Sequence, residues 1–149
     1  MKILSTVITA LLLLFTSSFN PQPQDNVTIT VTISNVRNST GSLLVGLYNK
    51  DSDFPQGEPY MTQAVALKSS SDKKITFEGV LAGDYAIAVI HDENGNEDMD
   101  TNEYGMPTEG FGFSNNAMGS DGPPSFNAAA FAANKNIEIS FGMMYLGGY

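Results

Sequence analysis

The sequence contains no cysteine and no tryptophan, and His91 is its only histidine. Without cysteine, disulfide bonds cannot hold the fold together and thiolate zinc sites are excluded. One imidazole is also too few for the usual zinc or copper sites. Packing of an apolar core, with or without a hard cation held by oxygen atoms, must therefore stabilise the fold.

Basic residues are also scarce. The chain has 7 Lys and Arg residues against 16 Asp and Glu residues, which gives a formal net charge of −9. Nucleic acids and anionic membrane surfaces are bound through clusters of positive charge. The few lysines are scattered, apart from the pair Lys73 and Lys74. We therefore expect no nucleic-acid partner.

The first residues have the pattern of an export signal. Lys2 precedes an apolar run from Ile3 to Phe15, and small residues follow as far as Ser18. This pattern is typical of a secretory signal peptide, and the run is shorter than the roughly 20 apolar residues that span a bilayer. We predict a signal peptide over residues 1–19 with cleavage near Ser18, a linker over 20–26 and one domain over 27–149. The mature protein is then periplasmic or secreted, without membrane insertion.

The domain has the two-residue periodicity of β-strands and no long helical pattern. Apolar and polar residues alternate from Val27 to Ser34, and residues 42–49, 62–68, 74–80, 84–92 and 136–144 also read as strands. Turn residues at 35–41 and 69–72 predict two hairpins. We expect an all-β fold, an antiparallel β-sandwich of immunoglobulin-like or transthyretin-like type, with six to seven strands and one long loop. The predicted core consists of Val31, Ile33, Leu43, Val45, Leu47, Ile75, Phe77, Tyr85, Ile87, Val89, Ile139 and Phe141.

A long polar stretch follows the fifth predicted strand. Seven acidic residues and no Lys or Arg fall between His91 and Glu109. Counting from Asp92, oxygen-bearing side chains recur at every second position, and a glutamate stands at position 12, as in calcium loops. Glu97 occupies the sixth position, where such loops place glycine, and the alternative is an acidic turn without metal. The predicted Ca²⁺ ligands are Asp92, Asn94, Asn96, Asp98, Asp100 and Glu103.

The end of this stretch is glycine- and proline-rich and carries Phe111 and Phe113. We expect a wrapped loop in which these two rings either face inward over the core, the favoured interpretation, or contact a partner.

Ser125 either caps one helical turn starting at Phe126, or residues 126–132 form a strand.

The stretch HDENGNEDMDTNEYGMPTEGFGFSNN, together with GPPSFNAAAF further on, resembles the bacterial Domain of Unknown Function 2141 family. The family pattern, HDxNxNxxxDxNxxGxPxEGxGFSNN, is matched from His91 through Asn102 and Glu109 to Asn115. The resemblance implies an exported β-sandwich of unassigned activity. In motif only, the acidic loop is also similar to strand-flanked calcium loops of bacterial adhesins.

Three classes of function remain open from the sequence. The first is a binding module that presents a loop to a glycan or an envelope protein, with contacts from Tyr104, Phe111, Phe113, Asn115 and Asn116. The second is a purely structural exported domain. The third, the alternative, is a hydrolase that uses His91 as a general base with the loop carboxylates. No catalytic motif accompanies His91, so we expect no catalysis.

Overall fold

The computed structural model describes residues 26–51 and 53–146. The predicted signal peptide and nearly all of the predicted linker lie outside these residues. Within them the chain forms eight strands, a 3₁₀ helix at Ser114–Asn116 and one short α-helix. The elements are β1 (Asn26–Ser34), β2 (Ser42–Tyr48), β3 (Met61–Ala66), β4 (Lys73–Leu81), β5 (Gly83–Asp92), β6 (Gly110–Phe113), α1 (Phe126–Ala129), β7 (Phe131–Ala133) and β8 (Ile137–Gly142).

The strands form two sheets, which confirms the predicted all-β sandwich. The three-stranded sheet has the order β4-β1-β8, and the five-stranded sheet has the order β3-β2-β5-β6, with β7 also pairing with β5. Every pair is antiparallel except β1 and β8, which run parallel from Ile29 opposite Ile137 to Ser34 opposite Gly142. The described residues therefore contain eight strands and one parallel pair, rather than six to seven antiparallel strands.

Both predicted hairpins are wrong. β1 pairs with β4 and β8, whereas β2 pairs with β3 and β5, so the segment 35–41 crosses from one sheet to the other. The segment 67–72 crosses back in the same way between β3 and β4. Two-residue periodicity shows which side chains face the core, but it does not show which strand lies alongside.

The core lies between the two sheets and contains the predicted residues. Ile33, Leu43, Phe77 and Ile87 are fully buried, and of the predicted set only Ile139 is partly buried. Complete burial of one such side chain contributes roughly 1.5–3 kcal/mol to folding. This core fixes the five-stranded sheet and, with it, the start of the acidic loop at the end of β5.

A second apolar cluster covers part of the outer face of the five-stranded sheet. The ring of Phe54 makes edge contacts with Tyr48, Phe113 and Phe126, at centroid distances of 5.4, 5.8 and 6.0 Å. Ser125 caps α1, because its hydroxyl oxygen accepts a hydrogen bond from the Ala128 amide at 3.2 Å. The helical turn is therefore the correct alternative. A strand over 126–132 is wrong, because β7 begins only at Phe131.

β6 lies inside the stretch that we expected to be a loop. A Cβ atom on Gly110 would lie 2.1 Å from the Tyr145 ring, and one on Gly112 would lie 3.0 Å from the carbonyl oxygen of Gly142. The glycines that suggest a loop are therefore required by close packing against the C-terminal segment. In the described part of the chain, no helix is long and apolar enough to cross a membrane.

Candidate functional site

The acidic loop begins at Asp92, the last residue of β5. Its side chain is buried, and its two carboxylate oxygens accept hydrogen bonds from the backbone amides of Gly95 at 2.7 Å and Glu97 at 3.1 Å. The rigid central strand therefore holds this carboxylate in place. The loop folds back over it within five residues.

Glu97 occupies the position at which calcium loops place glycine, and its backbone has the conformation that glycine favours. Its φ angle is +63°, in the left-handed region that side chains other than glycine rarely adopt. The residue at this position therefore differs from that of calcium loops, but its backbone conformation is the one that their glycine would adopt. Asp92 stabilises the bend by accepting the Glu97 amide hydrogen bond.

Three of the six predicted metal ligands converge in the loop. The side-chain amides of Asn94 and Asn96 donate to the two carboxylate oxygens of Asp100, at 2.5 and 3.1 Å. Asp98 is exposed, and its carboxylate accepts a hydrogen bond from the backbone amide of the next residue, Met99. The amides and carboxylates of this loop thus bond to one another and to backbone groups.

Glu103, the sixth predicted ligand, lies at the tip of a separate tight turn. The backbone amides of Tyr104 and Met106 both donate to the side-chain oxygen of Asn102 at 3.0 Å, which closes this turn. Glu103 and Tyr104 are exposed there. Among residues 26–51 and 53–146, no three His, Asp or Glu side chains come together in a geometry that could hold a metal ion.

Glu109 is the important loop residue that our site prediction omitted. It is 4% exposed, and its carboxylate accepts hydrogen bonds from the backbone amides of Glu93 at 2.8 Å and Asp100 at 3.3 Å. It therefore ties the middle of the loop to the end of β5. The sequence signal for it is its fixed position in the family pattern, just before the Gly-Phe-Gly-Phe segment, because residue type does not distinguish it from the exposed acids around it.

His91 belongs to a buried polar network. Its Nε2 lies 2.8 Å from the carbonyl oxygen of Thr40, so Nε2 carries the proton. Its Nδ1 lies 2.9 Å from the hydroxyl oxygen of Tyr145, and the backbone amide of Arg37 donates to that same oxygen at 3.1 Å. Burial raises the pKa of Tyr145, so the hydroxyl keeps its proton and donates to His91. Both ring nitrogens of this fully buried histidine are bonded to protein atoms.

Arg37 and Glu93 form an ion pair beside this network. The Nε of Arg37 donates to the Glu93 carboxylate at 2.9 Å, a second guanidinium nitrogen makes a closer contact, and the guanidinium lies 4.7 Å from the Tyr145 ring centroid. The hydrogen bond from Arg37 lowers the pKa of Glu93. The side-chain amide of Asn38 also donates to this carboxylate, so Glu93 is held by two side chains from the segment before β2.

A large open groove lies over the outer face of the five-stranded sheet. Its volume is about 1050 Å³. The floor comes from outward-facing positions of the strands, including Leu44, Ala88, Ile90 and Phe111. The walls include the acidic loop and its turn, contributing Glu97, Met99, Thr101, Tyr104, Met106 and Pro107, and residues 118–124.

A family model described as "Uncharacterized protein conserved in bacteria (DUF2141)" matches residues 31–140. The chain belongs to the DUF2141 family. The match begins in β1 and ends in β8, so it includes the acidic loop and most of the groove. No match was found among curated proteins or among solved structures.

The five predicted partner contacts of this DUF2141 protein differ in their exposure and in what they contact. Tyr104 is 80% exposed at the rim of the groove, and Phe111 is partly buried in its floor. Phe113 is buried in the second apolar cluster, on the outer face of the five-stranded sheet opposite Ala88, and not over the core between the sheets as the favoured interpretation had it. The side chains of Asn115 and Asn116 are bonded to backbone, to the carbonyl oxygen of Ala130 at 2.8 Å and the amide of Gly142 at 3.0 Å.

Proposed function

We propose that this protein is an exported binding module of the bacterial envelope that takes a glycan or protein partner at the groove. The main support for this proposal is the position of the exposed apolar side chains. In the described residues six large apolar side chains are exposed, and four of them line the groove: Tyr104, Met106, Met118 and Leu146. Exposed apolar side chains gathered at one place mark interaction sites, whereas scattered ones are ordinary.

The proposal of export depends on the N-terminal sequence, with Lys2, the apolar run to Phe15 and the small residues that follow. The absence of cysteine is compatible with both the periplasm and the cell exterior, because the core and the buried loop carboxylates hold the fold without disulfide bonds. Edman sequencing of the mature protein tests the cleavage site near Ser18. An intact Met1 in the membrane fraction would contradict export in a cleaved form.

The hydrolase alternative is less well supported. A general base needs a nitrogen that can reach a substrate proton, whereas both nitrogens of His91 are bonded within a fully buried network. The buried carboxylates of Asp92 and Glu109 are each occupied by two backbone amides. A structural role for these three residues accounts for all of their hydrogen bonds.

Binding is tested with glycan arrays and a panel of purified envelope proteins. Tyr104→Ala and Met106→Ala should each weaken a groove-bound partner by about 2 kcal/mol or more, roughly 30-fold, as interface hot spots do. Tyr60→Ala and Leu81→Ala are the matched controls, because these side chains are 40% and 39% exposed but lie outside the groove. Equal effects of the two pairs, or no effect of either, would place the binding site elsewhere.

We also propose that Ca²⁺ binds in the acidic loop and stiffens this wall of the groove. The support is an oxygen-only donor set on alternate residues, the buried Asp92 carboxylate at the end of β5 and the left-handed bend at Glu97. Asp92, Asn94, Asn96 and Asp100 would supply the ligands, and Asp98 and Glu103 would have to move inward to join them. Bound calcium would balance the carboxylate charge of the loop.

The calcium proposal is tested by calorimetric titration and thermal unfolding of chelator-treated protein. With a dissociation constant near 10⁻⁵ M, calcium at 100-fold excess would stabilise the fold by roughly 2.7 kcal/mol. Asp92→Asn should abolish the calcium-dependent increase in Tm, whereas Glu78→Gln, an exposed acid on the other sheet, should retain it. No heat and no change in Tm at about 5 mM calcium would show that the loop is an acidic turn without metal.

A further inference from the structure

We infer that the groove accepts an extended peptide segment in which basic residues alternate with apolar ones. The inference rests on the proposed binding function and specifies the partner as a protein or peptide rather than a glycan. Four features of the groove carry it, namely the apolar floor, the length of the lining along β2, the methionines of the walls and the sign of the charge.

The floor is apolar at a place where a sandwich usually faces water with polar side chains. The outer face of the three-stranded sheet follows that rule, with Thr30 and Thr32 on β1 and Lys74 and Glu138 on its neighbours. The outer face of the five-stranded sheet instead carries Leu44, Ala88, Ile90 and Phe111. All four of these are partly buried, so the walls shelter them without sealing them from the solvent.

The groove has the length of a short extended chain. On β2 the lining residues extend from Leu44 to Tyr48, a distance of about 13 Å at the rise of a strand. In the middle, Gly46 leaves room for the Tyr48 ring, which would lie 2.8 Å from a Cβ at that position. About four residues of an extended peptide span this floor, and their alternate side chains would enter it together.

The walls suit aliphatic side chains from a peptide. Met99 and Met106, from the acidic loop and its turn, and Met118, from the segment after β6, all line the groove. Methionine side chains are flexible and polarizable, so they adjust to apolar groups of different shape. Sugars present hydroxyl groups that need matched polar partners, which the floor side chains Leu44, Ala88, Ile90 and Phe111 do not offer. The polar side chains that also line the groove, such as Gln56, Gln63 and Thr101, can bond to the backbone of an extended peptide. A peptide with apolar side chains fits this surface better.

The charge at the groove has one sign. In the part of the chain that the structure describes, Glu97 and Asp121 are the charged residues that line it, and no Lys or Arg does. The whole chain carries a formal charge of −9, which adds to the attraction of a cationic ligand at low salt. Lys or Arg side chains that point away from the floor of the groove would reach these walls.

The test measures binding of fluorescein-labelled peptides to the purified full chain by anisotropy. A peptide of alternating Lys and Leu should bind at least about 10-fold more tightly than peptides of alternating Ser and Leu or Glu and Leu. It should also bind more tightly than a peptide of the same composition with its Lys and Leu residues in separate blocks. Raised salt should weaken binding, because the attraction is partly electrostatic.

Substitutions distinguish the groove from the general acidity of the protein. Glu97→Gln with Asp121→Asn should weaken binding of the Lys-Leu peptide by about 10-fold, whereas the matched double change Glu78→Gln with Glu138→Gln should leave it within about twofold. Met106→Ala should also weaken it, whereas Leu81→Ala should not. These positions are exposed, so the variants should fold.

Two results would overturn the inference in different ways. If the blocked and alternating peptides bind equally, or the two double variants behave alike, the peptide binds by charge alone and the inference fails. If a glycan binds and Met106→Ala abolishes its binding while no peptide binds, the partner class is wrong but the binding function stands. If substitutions in the groove change the binding of no peptide, glycan or envelope protein, both proposals fail.

Discussion

The hydroxyl oxygen of Tyr145 lies 2.9 Å from Nδ1 of His91, and the two rings meet edge to face. The contact joins the segment after β8 to the end of β5, immediately before the acidic loop. It also completes the hydrogen bonds of a histidine that is fully buried. The position of the loop therefore depends on a residue more than 50 positions further along the chain.

Tyr145→Phe should destabilise the protein by about 1–3 kcal/mol, because it leaves the buried Nδ1 of His91 without a partner. Urea unfolding monitored by tyrosine fluorescence or circular dichroism measures this loss. Tyr60→Phe is the control, since it removes the same atom from a ring that is 40% exposed. Equal losses in the two variants would show that the His91 contact contributes nothing specific.

Glu97→Gly should stabilise the protein by about 0.5–1 kcal/mol, because glycine adopts the left-handed conformation at φ +63° without steric cost. Glu103→Gly makes the same change at an exposed position of the same loop where the φ angle is not positive. It should be neutral or destabilising. Denaturant midpoints of the two variants decide the matter, and a lower midpoint for Glu97→Gly would contradict the prediction.

Ser114→Ala should cost about 1–3 kcal/mol. The Ser114 hydroxyl is buried, accepts a hydrogen bond from the Ile87 amide at 2.9 Å and donates to the Ala129 carbonyl at 2.6 Å. It thereby joins β5 to α1. Ser140→Ala, at an exposed position of β8, should change thermal stability by less than about 0.5 kcal/mol. A Ser114 variant as stable as the Ser140 variant would refute this role.

The Arg37–Glu93 pair should make stability fall in acid. Hydrogen bonding to Arg37 lowers the pKa of Glu93 from its ordinary value of 4.5, so the ionised carboxylate favours the folded state. Its contribution is fully present above pH 4.5 and is lost as the pH falls through the lower, folded-state pKa. The free energy of unfolding of Glu93→Gln should accordingly depend less on pH in this range than that of the wild type.

The control for this prediction is Glu138→Gln, which removes a carboxylate from the exposed pair with Lys74. Its pH profile should follow that of the wild type, because exposed pairs contribute little. Both profiles come from urea titrations at a series of pH values between about 3 and 7. Parallel profiles for Glu93→Gln and the wild type would show that Arg37 and Glu93 do not stabilise the fold through their charges.

The sequence was sufficient to predict the sandwich, most strands and the core, because alternation is a local property that burial imposes on each strand. The strand pairings were not predictable in the same way, since turn residues at 35–41 suit a hairpin and a crossover between sheets equally well. β6 was missed for a different reason. Its glycines at 110 and 112 are set by contacts with Tyr145 and Gly142, residues about 30 positions away in sequence.

The candidate site was only partly accessible from the sequence. Residue types and spacing identified the acidic loop, yet they did not distinguish the buried Glu109 from the exposed Glu103, because both are acids in an acidic stretch. The groove has no local pattern in the sequence. It is assembled from β2, β3, β5, β6, three loops and Leu146, and only the fold brings Leu44, Ile90 and Met118 together.

The parallel pairing of β1 with β8 has a mechanical consequence. The chain enters the domain at the start of β1 and leaves β8 at the opposite end of the same strand pair. A pulling force on residues 26 and 142 would therefore load the two strands in shear. All six paired positions would resist together, instead of opening one after another as in a peeled hairpin. Single-molecule stretching should thus show a single high-force rupture for this domain, whereas a domain that unzips would yield gradually at low force.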